Sequence, residues 1–120
     1  MNISIVNYDK ESHEADIKFE TDNHSLITYC PFLKEKRLPS IVTIEAFLPY
    51  NHKKTIECEC IIKNNDFYSY NLIGKIVSIK SNLAIVSVFG IEIKVDDVPS
   101  DINVGDNLSF EVKRLDCICG

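Results

Sequence analysis

The sequence lacks the features that define several protein classes. It has no apolar run long enough to span a membrane, no collagen-like or low-complexity tract and no coiled-coil heptads. What remains is a chain of 120 residues with 45% hydrophobic and 26% charged residues, which is typical of one soluble globular domain. A domain of this length buries enough apolar surface to fold without disulfides or a structural metal.

Helix signals are almost absent as well. No window keeps apolar residues at positions i, i+3, i+4 and i+7 between a capping residue and a terminal glycine. Apolar and polar residues instead alternate with a period of two, and short polar turns separate the alternating runs. The pattern predicts an all-β fold, a small barrel or sandwich of about nine short antiparallel strands. These strands are predicted at residues 2–8, 15–20, 25–30, 41–48, 55–62, 72–79, 83–89, 91–95 and 108–115.

The chain is predicted to form a single compact all-β domain over residues 1–120. A weak internal repeat leaves open a second organisation, in which residues 1–66 and 67–120 form two OB-like or SH3-like half-units. In each half a proline-containing loop, at Pro39 and at Pro99, precedes the last long strand. Short strands at regular spacing also produce such repeats by chance, so both organisations stay open.

Catalytic signatures are also missing. The chain contains no nucleophile elbow, no phosphate-binding P-loop, no zinc-protease helix motif and no glycine-rich dinucleotide motif. Its three histidines do not cluster, and Cys30, which precedes Pro31, is better explained as a buried thiol than as a nucleophile. We therefore predict that the protein is not an enzyme, has no catalytic residues and uses no cofactor.

Residues 1–10 and the cysteines indicate the compartment. The N-terminal residues have no basic start, no long apolar run and no small-residue cleavage site, which predicts a cytoplasmic protein whose five cysteines are thiols. Two Cys-x-Cys pairs, Cys58 with Cys60 and Cys117 with Cys119, raise the alternative of a four-thiolate zinc site. Side chains two apart on a strand lie about 7 Å from each other, which is too far for one metal ion. We therefore interpret the pairs as core thiols and predict no metal.

Part of the second half resembles a known fold family. Gly74 near the start of a long strand, a second apolar strand over Leu83 to Phe89, and a Val104-Gly105-Asp106 turn before a closing strand are the features that match. With these features, residues Leu72 to Asp116 resemble OB-fold barrels of the S1 type. The resemblance implies a small barrel that binds single-stranded nucleic acid or an oligosaccharide on one face.

The aromatic segment Phe67-Tyr68-Ser69-Tyr70 supplies the candidate binding residues. Tyr68 and Tyr70 are expected to share one strand face, where two bases could stack, and Lys63 and Lys75 are the cations close to them in sequence. The alternative interpretation is that these aromatic residues cover the open end of the core. The overall negative charge opposes phosphate binding, so nucleic acid is a disfavoured ligand.

The charge balance favours a protein partner. Against 18 Asp and Glu residues the chain has 13 Lys and Arg residues, a formal net charge of −5. An acidic surface steers association with a basic partner. We therefore predict a non-catalytic interaction module that docks on a basic protein, similar in kind to an accessory or immunity-type protein. The alternatives are an OB-like binder of single-stranded nucleic acid or oligosaccharide, and an enzyme with scattered site residues; no membrane partner is expected.

Overall fold

The structure, a computed structural model, describes residues 1–119, which form eleven β-strands and no helix. Gly120, the last residue of the predicted domain, lies outside this range. The all-β class is thus confirmed, and across the described chain no helix is long and apolar enough to cross a membrane. The strands are β1 (Asn2–Tyr8), β2 (Ala15–Glu20), β3 (Ser25–Cys30), β4 (Val42–Phe47), β5 (Tyr50–Thr55), β6 (Cys60–Lys63), β7 (Tyr70–Lys80), β8 (Leu83–Val88), β9 (Ile91–Val95), β10 (Asn107–Val112) and β11 (Arg114–Cys119).

All the strands belong to one sheet. Their order is β1-β2-β3-β11-β4-β9-β8-β7-β10-β5, and β6 pairs with β7 beside this path. Within residues 1–119 the path ends at β1 and at β5, so the sheet does not close into the predicted barrel. Most neighbours are antiparallel, but β11 with β3 and β4 with β9 are parallel, which corrects the expectation of antiparallel strands alone. The parallel pair of β11 and β3 arises because β11, the last described strand, lies between β3 and β4.

Strands of the first predicted half-unit pair with strands of the second. β5 and β6, from the first half, pair with β10 and β7, from the second, and β11 pairs with β3 and β4. The division at residues 1–66 and 67–120 stays a prediction.

Alternation along the strands places the core on one face of the curved sheet. On β9, Ile91 and Ile93 are buried, whereas Glu92 between them is exposed. β2, β8 and β10 bury apolar side chains in the same way, and all of them join one hydrophobic cluster. Each fully buried aliphatic or aromatic side chain stabilises the fold by about 1.5–3 kcal/mol, so this shared inner face holds the sheet together.

The predicted strand over residues 55–62 is interrupted, because only its two ends lie in strands. β5 ends at Thr55 and β6 begins at Cys60, and the segment between them leaves the sheet. Side chains, rather than a neighbouring strand, bond its backbone: Asn107 Nδ2 donates to the Glu57 carbonyl at 2.8 Å, and the Glu57 N–H donates to Thr55 Oγ1 at 3.1 Å. The alternation of Glu and Cys residues resembles the pattern of a half-buried strand. In the structure, however, these side-chain hydrogen bonds take the place of backbone hydrogen bonds to a neighbouring strand.

The cysteine pairs occupy different environments. Cys117 on β11 is buried in the core, as predicted, but Cys58 is exposed and Cys60 is only partly buried, so the core assignment is wrong for Cys58. β6 and β11 are not neighbours in the sheet, and the side chain of Cys119 lies outside the described residues. In the part of the chain that the structure describes, no three His, Cys, Asp or Glu side chains lie close enough to hold a metal ion.

Candidate docking site

A row of directly opposed residues crosses β1, β2, β3 and β11. Asn7 lies opposite Asp16, Asp16 opposite Tyr29, and Tyr29 opposite Asp116. Directly opposed residues of a sheet point to the same face. Because the alternate residues of β2, such as Ile17, are buried in the core, this row brings two carboxylates and a phenol together on the outer face.

The turn between β1 and β2 adds two more carboxylates. The Asp9 N–H donates to the Glu14 carbonyl at 2.9 Å, which places these two residues side by side. The Glu11 N–H donates to Asp9 Oδ1 at 2.9 Å, and this bond, with one from Ser12, lowers the pKa of the Asp9 carboxyl below its ordinary value. Asp9 is therefore an anion fixed in position at neutral pH.

Tyr68 reaches this region from the loop between β6 and β7. Its hydroxyl donates to Asp16 Oδ1, and Asn7 Nδ2 donates to Asp16 Oδ2 at 2.9 Å, so both oxygens of a carboxylate that is only 8% exposed have neutral donors. In the same way, the Tyr29 hydroxyl donates to Glu14 Oε1. All three donors are neutral, so none of them supplies a charge opposite to that of the carboxylates.

The residues line an open cavity of about 300 Å³, called here the tyrosine–carboxylate pocket. Its walls are three carboxylates, three tyrosines and two small neighbours: Asp9, Glu14, Asp16, Tyr8, Tyr29, Tyr68, Asn7 and Ala15. Among the described residues, no lysine or arginine lines it. Arg114, which lies beside Tyr29, is paired with Asp116 instead, with 2.6 Å between Arg114 Nε and Asp116 Oδ1. The described lining of the pocket thus has three carboxylates and neither a lysine nor an arginine.

A larger cavity, of about 650 Å³, lies in the loop over residues 32–40. Its walls come from this one loop, and Arg37 within it is paired with Glu35 at 3.3 Å. The tyrosine–carboxylate pocket is instead built from β1, β2, β3 and the Tyr68 loop, which hold its side chains in fixed positions. We therefore regard the smaller pocket as the candidate site.

An aromatic row extends from the pocket across the outer face. It consists of Phe67, Tyr68, Tyr29, Arg114 and Phe47, in that order. Ring centroids are 4.8 Å apart for Phe67 and Tyr68 and 5.7 Å apart for Tyr68 and Tyr29, both edge to face. The Arg114 guanidinium carbon lies 4.7 Å from the Tyr29 ring centre and 4.3 Å from that of Phe47. The two ends of the row, Phe67 and Phe47, are exposed to solvent.

The pocket tyrosines give the fold a dependence on alkaline pH. Burial and the bond to Asp16 raise the pKa of Tyr68 above its ordinary value of 10.0, and the bond to Glu14 raises the pKa of Tyr29. The native chain therefore retains protons that the unfolded chain releases near pH 10. We expect the free energy of unfolding to lose this contribution as pH rises above about 10, and Tyr68→Phe to reduce that slope.

Urea unfolding of the wild type and of Tyr68→Phe, at several values between about pH 9 and pH 11.5, measures this effect. Equal slopes for the two proteins would show that the fold does not raise the pKa of Tyr68.

The sequence-predicted binding residues do not come together at one site. Tyr68 lines the pocket and is partly buried, but Tyr70 is 2% exposed, and its hydroxyl oxygen accepts a bond from the Ile27 N–H at 2.9 Å. Lys63 is exposed and lies over the rings of Phe67 and Tyr70, with its ammonium nitrogen 5.7 and 5.0 Å from their centres. Lys75 is exposed further along β7. The structure thus gives Tyr68 and Tyr70 no shared exposed face for stacking.

Sequence reasoning missed most of the pocket. Asp16 and Tyr29 occupy outward positions of two predicted strands, and the register of the β2–β3 hairpin pairs them directly. That register could have been inferred from the strand bounds. The contribution of Tyr68, which is 52 residues from Asp16, had no local signal.

No known protein family, no curated protein and no solved structure matches this chain. The resemblance of residues 72–116 to OB-fold barrels stays a prediction, and the function must be argued from the geometry of the site.

Proposed function

We propose that this protein is a non-catalytic cytosolic docking module that binds a basic protein partner, and that the tyrosine–carboxylate pocket receives an arginine or lysine side chain of that partner. The observation that carries the proposal is the composition of the pocket. Three carboxylates and three tyrosines surround one cavity that no cation of the described chain enters.

The charge of the pocket supports a cationic ligand. Like charges placed around one cavity repel each other, and a cation from a partner relieves that repulsion. The carboxylates are too dispersed to chelate a metal, since no group of three possible ligands converges within the described residues. A guanidinium group is planar and broad, donates several hydrogen bonds and stacks on aromatic rings, so it suits dispersed carboxylates between phenols.

The aromatic row supports a protein as the source of this cation. Tyrosine, phenylalanine and arginine are enriched at the centres of protein interfaces. Phe67 and Phe47 expose apolar surface at the two ends of the row, and Tyr29 lies between them. A partner that inserts a cation beside Tyr29 would cover this apolar surface at the same time.

The contacts give the nucleic-acid alternative less support. Stacking platforms require exposed rings, and Tyr70 is buried, while phosphates would meet the carboxylates of the pocket. Binding of a single-stranded oligonucleotide is therefore an outcome that would count against the proposal.

Fluorescence anisotropy with two labelled peptides tests the proposal. One peptide alternates glycine and arginine, and the other replaces each arginine with citrulline, which has nearly the same shape and no charge. We expect saturable binding of the arginine peptide that weakens as the salt concentration rises. The citrulline peptide should bind at least about tenfold more weakly. Equal binding of both peptides would contradict the proposal, as would preferential binding of the oligonucleotide.

A pair of double variants locates the binding energy. Asp9→Asn with Glu14→Gln removes two pocket charges, and both residues are exposed, so the fold should tolerate the change. Asp96→Asn with Asp101→Asn removes two exposed charges from the loop before β10 and is the matched control. We expect the first variant to bind the arginine peptide about tenfold more weakly and the control to bind nearly as the wild type does. Equal losses would assign the binding to net charge alone.

A further inference from the structure

The two ends of the sheet differ in how they are protected. Exposed strand edges pair with other chains unless charge, proline or a covering element prevents it. β5, at one end, carries Lys53 and Lys54, and its Asn51 has a left-handed φ of 55° that distorts the strand. β1, at the other end, has the sequence NISIVNY, with no charged residue and no proline. Only β2 pairs with β1 among the described residues, so one edge of β1 is unpaired.

The core is also open beside β1. Ile3 and Ile5 lie opposite Phe19 and Ile17, which are buried, so the two isoleucines project towards the core. They remain only half-buried, because no further strand covers them within residues 1–119. An apolar cavity of about 230 Å³, with Ile3 and Phe19 in its wall, opens next to them.

We propose that β1 pairs with β1 of a second copy of this chain, antiparallel and about a two-fold axis at Ser4. In this register Ser4 faces Ser4 of the other copy, and Ile3 faces Ile5. An even register of this kind keeps the isoleucines of both copies on the same face, where they extend the inner face of one sheet into the other. The Ile5 side chain of the second copy then lies against Ile3, at the mouth of the apolar cavity.

A second copy fits this edge better than a segment of a charged partner. β1 has no charge with which to select a partner of either sign, but it is complementary to itself. The net charge of −5 does not oppose the pairing locally, because the residues of β2 next to Ser4 and Asn2 are Lys18 and Glu20, which form an ion pair at 3.6 Å. The proposed dimer joins β1 around Ser4, whereas Asn7 and Tyr8 at the other end of β1 line the pocket, so the assembly would have two tyrosine–carboxylate pockets.

Sedimentation equilibrium of the full chain over a hundredfold range of concentration tests the dimer. We expect the mean mass to rise from 13.7 kDa towards twice that value as concentration increases. Ser4→Lys places two ammonium groups opposite each other at the axis and should raise the dissociation constant at least about tenfold. Ser78→Lys, at an exposed position of β7, is the matched control and should dimerise as the wild type does.

A charge swap makes the test specific for the Ser4 contact. Ser4→Lys alone should be monomeric, because Lys18 beside it on β2 adds to the positive charge at the axis. A mixture of Ser4→Lys with Ser4→Asp should form a heterodimer, because opposite charges then meet there. Dimerisation of the mixture also shows that both variants are folded. A wild type that stays monomeric at every concentration would overturn the proposal, as would a Ser4→Lys variant that dimerises like the wild type.

Discussion

Gly74→Ala is expected to lower the free energy of unfolding by about 3 kcal/mol, although it adds only one methyl group. Gly74 lies in the middle of β7, where the strand changes its partner from β6 to β8. A Cβ atom at this position would lie 2.5 Å from Val86 Cγ1, 2.7 Å from Val88 Cγ2 and 2.8 Å from the Ser87 carbonyl oxygen. The carbonyl belongs to the neighbouring strand and cannot move without disturbing the ladder, so the clash is not relieved by side-chain rotation alone.

Urea unfolding of Gly74→Ala measures this loss, and two further variants isolate its cause. Ser78→Ala, exposed on the same strand, should change the free energy of unfolding by less than about 0.5 kcal/mol. Adding Val86→Ala to Gly74→Ala should give a smaller total loss than the sum of the two single variants, because the shorter side chain removes the closest contact. A Gly74→Ala protein as stable as the wild type would show that β7 and β8 are further apart than described.

Tyr70→Phe is expected to cost about 1–3 kcal/mol, although it removes only one oxygen atom. That oxygen accepts the Ile27 N–H at 2.9 Å and links β7 to β3, two strands that are not neighbours in the sheet. Without it, the part-buried Ile27 N–H loses this acceptor, which costs part of the desolvation energy of the group. Burial also raises the pKa of Tyr70 above its ordinary value.

Thermal or urea unfolding of Tyr70→Phe and of Tyr50→Phe compares this buried hydroxyl with an exposed one. Tyr50→Phe should fall within about 0.5 kcal/mol of the wild type, because its side chain faces solvent. Equal stabilities for both variants would place Tyr70 at the surface and would return it to the set of candidate ligand-binding residues.

Local patterning was sufficient to predict most strands but not their long-range neighbours. The predicted strands at residues 2–8, 15–20 and 25–30 match β1, β2 and β3, because apolar residues on a sheet with one buried face recur every second position. β5 escaped prediction because YNHKKT is largely polar, and its strand conformation depends on pairing with β10. The insertion of β11 between β3 and β4 depends on contacts between distant parts of the chain, which no local pattern encodes.

The site shows the same division between local and long-range information. Net charge and the Phe67–Tyr70 segment indicated an acidic protein with clustered aromatics, and Tyr68 does line the pocket. Tyr70, two residues away, was expected to lie beside it on one strand face, but β7 begins at Tyr70 and its ring is buried. Periodicity alone does not reveal where a strand begins, so it placed Tyr68 and Tyr70 on one strand although Tyr68 lies in the loop before β7.

The proposed role of the tyrosine–carboxylate pocket is tested most directly by an NMR titration of the ¹⁵N-labelled chain with N-acetyl-arginine amide, with N-acetyl-citrulline amide as the neutral control. We expect saturable shifts at the amides of Asn7, Asp16 and Tyr29 and at Tyr68 with the arginine compound, and little change with the citrulline compound. Shifts confined to other regions, or equal shifts with both compounds, would contradict a cation-binding pocket at this position.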